Sequence, residues 1–312
     1  MDGNRQYLAE EIAENHRDGQ VSRREAIRQL AYLGFTAVGA SAVLAACGGG
    51  DSGDDDPVAA QGATTTVAAS IPTTQAGPTT TGRPVAVQNI TYAGKGHTVM
   101  GAFAPATSPK GAVLVIHENR GLTDFVTGIT GRLAGSGYTA LAVDLLSPQG
   151  GTAAHPDAAE LQSLLLSNAQ EVGGSAVDDM KSSLEELQRR APGQKLAATG
   201  FCFGGNMTWS LLAAGDPPAL SAAVPFYGQT NNPIFTKSKA AVLAIYGELD
   251  TRVNANQPQA KLGLENAKLT FDIKTYPGVN HAFMNNTGAN YNAAQADAAY
   301  AAMIDWFGKY LR

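Results

Sequence analysis

The stretch TGFCFGGNMTW, residues 199–209, indicates the fold of the chain, because it joins a predicted strand to a predicted helix. It overlaps the end of the apolar run KLAAT, residues 195–199, which predicts a buried strand, and it leads into residues 206–214, which have helical spacing. Gly204 and Gly205 permit a sharp turn between the two segments. Cys202 is therefore predicted to lie at the corner where a strand turns into a helix.

This corner has the Gly-x-Cys-x-Gly pattern of a nucleophile elbow. Such an elbow holds its nucleophile in a strained turn at the edge of a sheet, and the glycines keep Cβ atoms out of the crossing of strand and helix. A helix that starts just after Cys202 would favour a thiolate and later an oxyanion. The alternative is a small buried core residue, which is common for a free cysteine. The flanking glycines, Gly200, Gly204 and Gly205, favour the elbow.

Length and composition favour a globular protein. The chain has 312 residues, of which 44% are hydrophobic and 16% charged, enough to build a core. The net charge of −5 and the lack of a basic cluster after residue 28 disfavour a nucleic-acid partner. The two cysteines, Cys47 and Cys202, lie in settings too different to predict a disulfide. No Cys/His spacing is typical of a zinc site, so we expect no metal.

The first 47 residues have the pattern of an export signal. A basic flank, SRREAIR at residues 22–28, precedes an uncharged run, residues 29–46, which ends in LAACG at residues 44–48. The pattern resembles a bacterial twin-arginine signal joined to a lipobox, with Cys47 as the lipidated residue. The alternative is a transmembrane anchor, but small and polar residues interrupt the run and it is barely long enough. We expect an exported lipoprotein tethered to the outer face of the membrane.

Two further regions follow the signal segment of residues 1–47. Residues 48–85 are rich in Gly, Asp, Ala, Thr and Pro, and we expect a disordered linker there. Residues 86–312 alternate apolar strand-like runs with helical patterns, which predicts one α/β domain. Its sheet should be mostly parallel and covered by helices on both faces. Chemistry is expected at the carboxyl ends of its strands.

A cysteine nucleophile needs a base and a group that orients the base. Asp250 follows the apolar run AVLAIYG, residues 241–247, and His281 follows a later predicted strand. The order nucleophile, acid, histidine is that of an α/β-hydrolase triad, so we expect Cys202, Asp250 and His281 to act together. Asp250 could instead cap a helix, and His281 could be an ordinary loop histidine. Asp144 is a rival acid, but it precedes the elbow and we interpret it as structural.

Four motifs together resemble the dienelactone hydrolase family over residues 86–312. They are GFCFGG at 200–205, ENRG at 118–121, GELD at 247–250 and NHAF at 280–283. The resemblance implies a single-domain α/β-hydrolase that cleaves ester or lactone bonds through a Cys-His-Asp triad and without a cofactor. Carried over, Cys202 is the nucleophile, Asp250 the acid and His281 the base. We expect a monomer whose partner is a small ester or lactone.

The resemblance also assigns roles to the ENRG motif. Glu118 resembles a strand-end glutamate that contacts the resting thiol and accepts its proton when substrate binds. The backbone amides of Phe203 and Asn119 would form the oxyanion hole. A carboxylate near Cys202 disfavours a second negative charge and should keep the thiol protonated at rest. Without the resemblance, Glu118 would be interpreted as a surface carboxylate paired with Arg120.

The substrate-binding residues depart from the family. Relatives that act on dienelactone hold its carboxylate with arginines, one after the fourth strand and one just beyond the histidine. The loops at residues 145–150 and 283–286 contain no arginine, which does not favour dienelactone as the substrate. Arg120 remains as a candidate for an anionic group, and Tyr227 as a candidate pocket residue, although a solvated loop charge and a core aromatic are the alternatives.

The sequence therefore predicts an exported, membrane-tethered carboxylic-ester or lactone hydrolase. Two alternatives stay open. One is a non-catalytic cell-surface binding protein on the same fold, which need not keep Cys, His, Asp and Glu together. The other is an acyl-transferring or peptidase-like relative, since the sequence does not determine the acyl acceptor.

Overall fold

The computed structural model describes residues 3–17, 21–46, 83–170, 174–215 and 218–312. Eight strands form one sheet. They are β1 Gln88–Ala93, β2 Thr98–Ala104, β3 Ala112–Ile116, β4 Thr139–Asp144, β5 Leu196–Phe201, β6 Leu220–Phe226, β7 Ala241–Gly247 and β8 Phe271–Tyr276.

The order of strands in the sheet is β1-β2-β4-β3-β5-β6-β7-β8. β1 and β2 form an antiparallel hairpin, and β2 pairs antiparallel with β4, whereas all pairings from β4 to β8 are parallel. The sheet is therefore mostly parallel, as the alternating sequence pattern predicts. Because parallel strands end at the same edge, the segments after β3, β5, β7 and β8 meet there.

Ten α-helices accompany the sheet in the described residues. They are α1 Gly3–Arg17, α2 Arg23–Tyr32, α3 Ala37–Ala46, α4 Asp124–Gly135, α5 Ala158–Asn168, α6 Ala176–Arg190, α7 Phe203–Ala214, α8 Thr251–Asn254, α9 Gln257–Asn266 and α10 Ala293–Tyr310. α7 begins directly after Cys202 and not at residue 206, where the predicted helical spacing begins.

Helices cover both faces of the sheet. α4 and α10 pack together, with the Arg132 guanidinium 4.0 Å from the centre of the Tyr300 ring, and α6 and α7 pack on the other side. All residues of β3, β4 and β5 are buried. Burial on both faces explains why these strands appear as continuous apolar runs instead of alternating ones.

The N-terminal region packs on the α/β domain as three helices. Leu8, Ile12 and Leu30 are buried in the same core cluster as the strands, and Arg28 pairs with Asp157 at 2.5 Å. The predicted signal segment of residues 1–47 covers these helices, but Cys47 itself and most of the predicted linker lie outside the described residues. None of the helices in the described residues has the length and apolar character needed to cross a bilayer.

Candidate active site

The corner between β5 and α7 has the geometry of a nucleophile elbow. Cys202 adopts φ 57° and ψ −118°, a conformation that costs strain for a side chain other than glycine. The close crossing of strand β5 and helix α7 is permitted by Gly200, Gly204 and Gly205. A Cβ on Gly200 would collide with the Gly204 carbonyl, and Cβ atoms on the other two would meet the backbones of β3 and β6. The strained turn therefore places the thiol at the carboxyl edge of the sheet.

The structure brings His281 and Asp250 together at the same edge. Asp250 ends the loop after β7, and its Oδ2 lies 2.6 Å from His281 Nδ1. Its other oxygen, Oδ1, accepts from the Val253 amide at 3.1 Å and caps α8. Asp250 thus both contacts His281 and caps a helix, because each carboxylate oxygen has its own partner. The bond to Nδ1 leaves Nε2 of His281 facing the thiol side.

The hydrogen bonds of the thiol go to helix α1. Tyr7 donates its hydroxyl to Cys202 Sγ at 3.4 Å, and the same oxygen lies 3.4 Å from His281 Nε2. Sγ donates to Glu11 at 3.3 Å from Oε2 and 3.5 Å from Oε1. Sequence reasoning missed both residues, since they are more than 190 positions away along the chain.

Glu118 is in the site, but its partners differ from those expected. Its carboxylate accepts from Asn285 Nδ2 at 2.6 Å and from the Tyr227 hydroxyl at 3.5 Å. The expected direct contact with the thiol is not made, because Glu11 takes that position. Tyr227 packs its ring edge-on against His281, with centroids 5.0 Å apart, so this predicted pocket residue does line the site.

The two amides expected to form an oxyanion hole lie just after two neighbouring strands. Phe203 is the first residue of α7, and Asn119 follows β3, the neighbour of β5. Neither N–H has a hydrogen-bond acceptor within the described part of the chain. His117 fixes the loop before Asn119: its Nε2 accepts from the Leu145 amide at 3.1 Å, so Nδ1 carries the proton and donates to the Glu118 carbonyl at 2.7 Å.

The electrostatics keep the thiol protonated. Burial raises the pKa of Cys202 well above its usual value, and the charges of Glu11 and Glu118 raise it further. Burial also raises the pKa of Glu118, to about 7, against the opposing effect of His281. For His281, burial lowers the pKa, but the Asp250 carboxylate outweighs burial and the net pKa is raised. The thiol is therefore neutral, and it lies beside an imidazole whose pKa is raised.

Two other predicted residues lie away from the thiol. Arg120 is exposed, because it occupies a turn closed by the bond from the Gly121 amide to the Glu118 carbonyl, 3.1 Å. It is the solvated loop charge and not a group in the pocket. Asp144 is structural, as expected: it accepts from the Leu146 amide at 3.0 Å and from the Thr152 amide at 2.7 Å.

The arginine near the thiol is Arg252, which sequence reasoning did not single out. Its Nε donates to Glu14 at 3.0 Å, its Nη2 lies 4.0 Å from a Glu11 oxygen, and its guanidinium stacks on the Tyr7 ring at 4.5 Å. Arg252 stands two positions after Asp250, and that proximity was the only signal in the sequence.

One group of residues in the described part of the chain has the composition of a metal site. Glu11, Cys202 and His281 each offer one ligand atom, and these atoms lie within 4.8 Å of one another. Cys202 and His281 are already hydrogen-bonded to Tyr7 and Asp250, and Glu11 is hydrogen-bonded to Cys202 and Asn119. That network satisfies their polar atoms without a cation.

The sheet order and the elbow after β5 define the α/β-hydrolase class of protein. The model of the "Dienelactone hydrolase family" matches residues 100–311. The chain belongs to this family and is a hydrolase of the lactone or ester type.

Relatives and solved structures agree with this assignment. The chain is 32% identical over 216 residues to "Putative carboxymethylenebutenolidase" of Escherichia coli O157:H7, covering 65% of this chain and 78% of the relative. A structure from Klebsiella pneumoniae described as a "Putative Dienelactone Hydrolase" is 26% identical with a TM-score of 0.63, covering 73% of this chain and 100% of that one. An acylaminoacyl peptidase of Pyrococcus horikoshii is similar in fold alone, at 15% identity and a TM-score of 0.59 over 74% of this chain and 42% of its own.

Proposed function

We propose that the protein hydrolyses carboxylic esters or lactones with Cys202 as nucleophile, His281 as base and Asp250 as the acid that orients it. The observation that carries the proposal is the 2.6 Å bond between His281 Nδ1 and Asp250 Oδ2 beside a cysteine in an elbow turn. That bond fixes the tautomer in which Nε2 can take a proton. The raised pKa of His281 suits this task, because a base must hold the proton it takes.

The reaction proceeds in two steps. Nε2 of His281 takes the Sγ proton while Sγ attacks the carbonyl carbon, and the amides of Phe203 and Asn119 donate to the developing oxyanion. The bond to the alkoxide oxygen breaks, and His281 returns the proton to that oxygen. Water, deprotonated by His281, then attacks the thioester and releases the carboxylic acid and the free thiol. A lactone follows the same course, with the alcohol still joined to the acid.

Helix α1 covers the thiol, so assays of this proposal need a form from which it has been removed. The full chain carrying a specific protease site between Gln75 and Ala76 is purified folded, cut, and separated from its N-terminal fragment. We call the product the released form. It retains Cys202 as its only thiol, because the other cysteine, Cys47, leaves with the fragment.

A panel of aryl esters and lactones tests the proposed reaction. The released form should hydrolyse several small members of the panel, and stoichiometric iodoacetamide should stop that hydrolysis. Failure to hydrolyse any of them while Cys202 alkylates readily would favour a binding protein on the same fold. Transfer of the acyl group to an added amine or alcohol in preference to water would favour an acyltransferase.

Glu118 should restrain the thiol, and Glu118→Gln should therefore speed alkylation of Cys202. Removing a negative charge next to the thiol lowers its pKa, and one pKa unit corresponds to about a tenfold larger thiolate fraction. The measurement is the iodoacetamide rate of the released form at pH 8. The pKa of Glu118 is about 7 with α1 in place, and loss of α1 removes the Glu11 charge that raises it, so Glu118 should be ionised at that pH.

Glu248→Gln is the matched control for this prediction. It removes the same charge from an exposed residue at the end of β7, where Glu248 accepts from the Gly278 amide at 2.8 Å. Its alkylation rate should equal that of the unchanged released form. An unchanged or slower rate in Glu118→Gln would contradict the restraining role.

We further propose that the protein is exported and held at the outer face of the membrane through a lipid on Cys47. The basic flank, the uncharged run and the LAAC sequence at residues 44–47 support this placement. In the domain that remains after residues 1–46 leave, the Glu118 carboxylate still raises the pKa of the Cys202 thiol. A protonated thiol suits an oxidising compartment, since a permanent thiolate would be oxidised stepwise.

A further inference from the structure

Helix α1 presents three polar side chains to the catalytic edge of the sheet. Tyr7, Glu11 and Glu14 are spaced at i, i+4 and i+7, which places them on one face of the helix. Tyr7 and Glu11 hydrogen-bond to Cys202, and Glu14 accepts from Arg252 at 3.0 Å. These three side chains are therefore directed into the site and not toward solvent.

These contacts occupy the positions that the reaction needs. The Tyr7 hydroxyl lies 3.4 Å from both Sγ of Cys202 and Nε2 of His281, and so it stands between nucleophile and base. The Asn119 side chain donates to Glu11 next to the amide proposed for the oxyanion hole. Cys202 is 2% and His281 7% exposed. An ester carbonyl cannot reach the thiol while the helix is in place.

The charges of helix α1 and of the site that it covers are opposite in sign. Glu11 and Glu14 of the helix face Arg252, whose charge is buried and whose other guanidinium nitrogens have no hydrogen-bond partner within the described residues. Tyr7 packs its ring against the same guanidinium. A buried charge is stable only with such partners, so the contact is specific to the groups on both sides.

The neighbouring helices fix α1 in this position. Arg28 of α2 bridges to Asp157, the N-cap of α5, and Ser163 of α5 donates to the Tyr32 carbonyl at 3.1 Å. Apolar residues of all three N-terminal helices are buried, among them Leu8, Ile12, Leu30 and Leu44. All these helices lie before Cys47, so one cleavage there would separate them together from the domain.

We propose that α1 is an intramolecular inhibitor, which occupies the substrate cleft until residues 1–46 are removed. The inference rests on the proposed function of Cys202 and His281 in hydrolysis, and it adds that the uncut chain is inactive. Removal of α1 opens the thiol to Nε2 of His281 and leaves Arg252 without its helix partners. The cleft is thus a docking surface for residues 3–17 of this chain.

The test compares cut and uncut protein by a readout that does not depend on hydrolysis. Iodoacetamide should alkylate Cys202 about tenfold faster or more in the released form than in the uncut chain carrying Cys47→Ser, because reaction requires an undocked helix. Adding back the purified N-terminal fragment should slow the reaction again. Equal alkylation rates in cut and uncut protein would overturn the inhibitory role.

Two variants of the uncut Cys47→Ser chain provide a second test, which does not depend on release of the N-terminal fragment after cleavage. Glu11→Ala removes the carboxylate that contacts the thiol and Asn119, and it should speed alkylation. Glu10→Ala, its matched control, removes a neighbouring charge that accepts a hydrogen bond from Gln6 at 2.8 Å, and it should not speed alkylation. Equal rates in the two variants would count against the inhibitor.

The same samples separate this inference from the proposed function. Faster alkylation without ester hydrolysis in the released form would support the docked helix and contradict the hydrolytic role. Equal hydrolysis and equal alkylation in cut and uncut protein would support the hydrolytic role and overturn the inhibitor.

Discussion

Cys202→Ala should lower ester hydrolysis by the released form by about 10⁴-fold or more. The rate that remains should come from substrate binding and the oxyanion amides. The substitution removes the thiol near His281 Nε2, and the described residues contain no other cysteine. The measurement is kcat/KM for an aryl ester that the unchanged released form turns over.

The fold should survive this change. Alanine fits the elbow, since it lacks only the sulfur atom, and the surrounding glycines are untouched. We expect a melting temperature within a few degrees of the unchanged protein. Retained turnover with an intact fold would contradict the role of the thiol, whereas loss of both would point to misfolding and require Cys202→Ser as a second variant.

Asp250→Asn should lower kcat by about 10³- to 10⁴-fold while leaving stability largely intact. The amide cannot stabilise the imidazolium, and its NH₂ group favours the wrong tautomer of His281. Asparagine keeps the oxygen that caps α8, because Oδ1 accepts from the Val253 amide. The measurement is the kcat of the released form, together with its pH profile, in which the apparent pKa of His281 should fall.

Asp144→Asn is the matched control for Asp250→Asn. Asp144 is also a buried strand-end aspartate, but its oxygens bond to the Leu146 and Thr152 amides and to the Thr152 hydroxyl. This variant should lose about 1–3 kcal/mol of stability through an unpaired group and keep most of its kcat. Similar kcat losses in both variants would mean that Asp250 acts only through the fold.

The sheet and the elbow could be predicted because their signals are local. Apolar runs of five to seven residues alternate with helical spacing, and the glycines around Cys202 mark the turn. Parallel strands end at a common edge, so Cys202, Asp250 and His281 are expected to lie close together. The structure places all three at that edge. These inferences need only the position of a residue relative to its own strand.

The partners of the site could not be predicted in the same way. Glu118 bonds to Asn285 because another carboxylate, Glu11, already accepts from the thiol. Glu11 belongs to a helix that is distant in the sequence. Which arginine lies near the thiol could not be predicted either, because the turn at residues 118–121 directs Arg120 toward solvent. Residues 3–17 form a helix in the structure, and nothing local in their sequence tells which surface that helix covers.

Mass spectrometry of an acyl-enzyme tests the central claim most directly. The released form is mixed with an activated aryl ester, for which acylation outpaces release of the acid, and quenched in acid at several times. A thioester on the peptide that contains Cys202, appearing with the first turnover and disappearing as the substrate is consumed, is the predicted result. Hydrolysis with the acyl group on another side chain, or with Cys202 unmodified at every time, would contradict it.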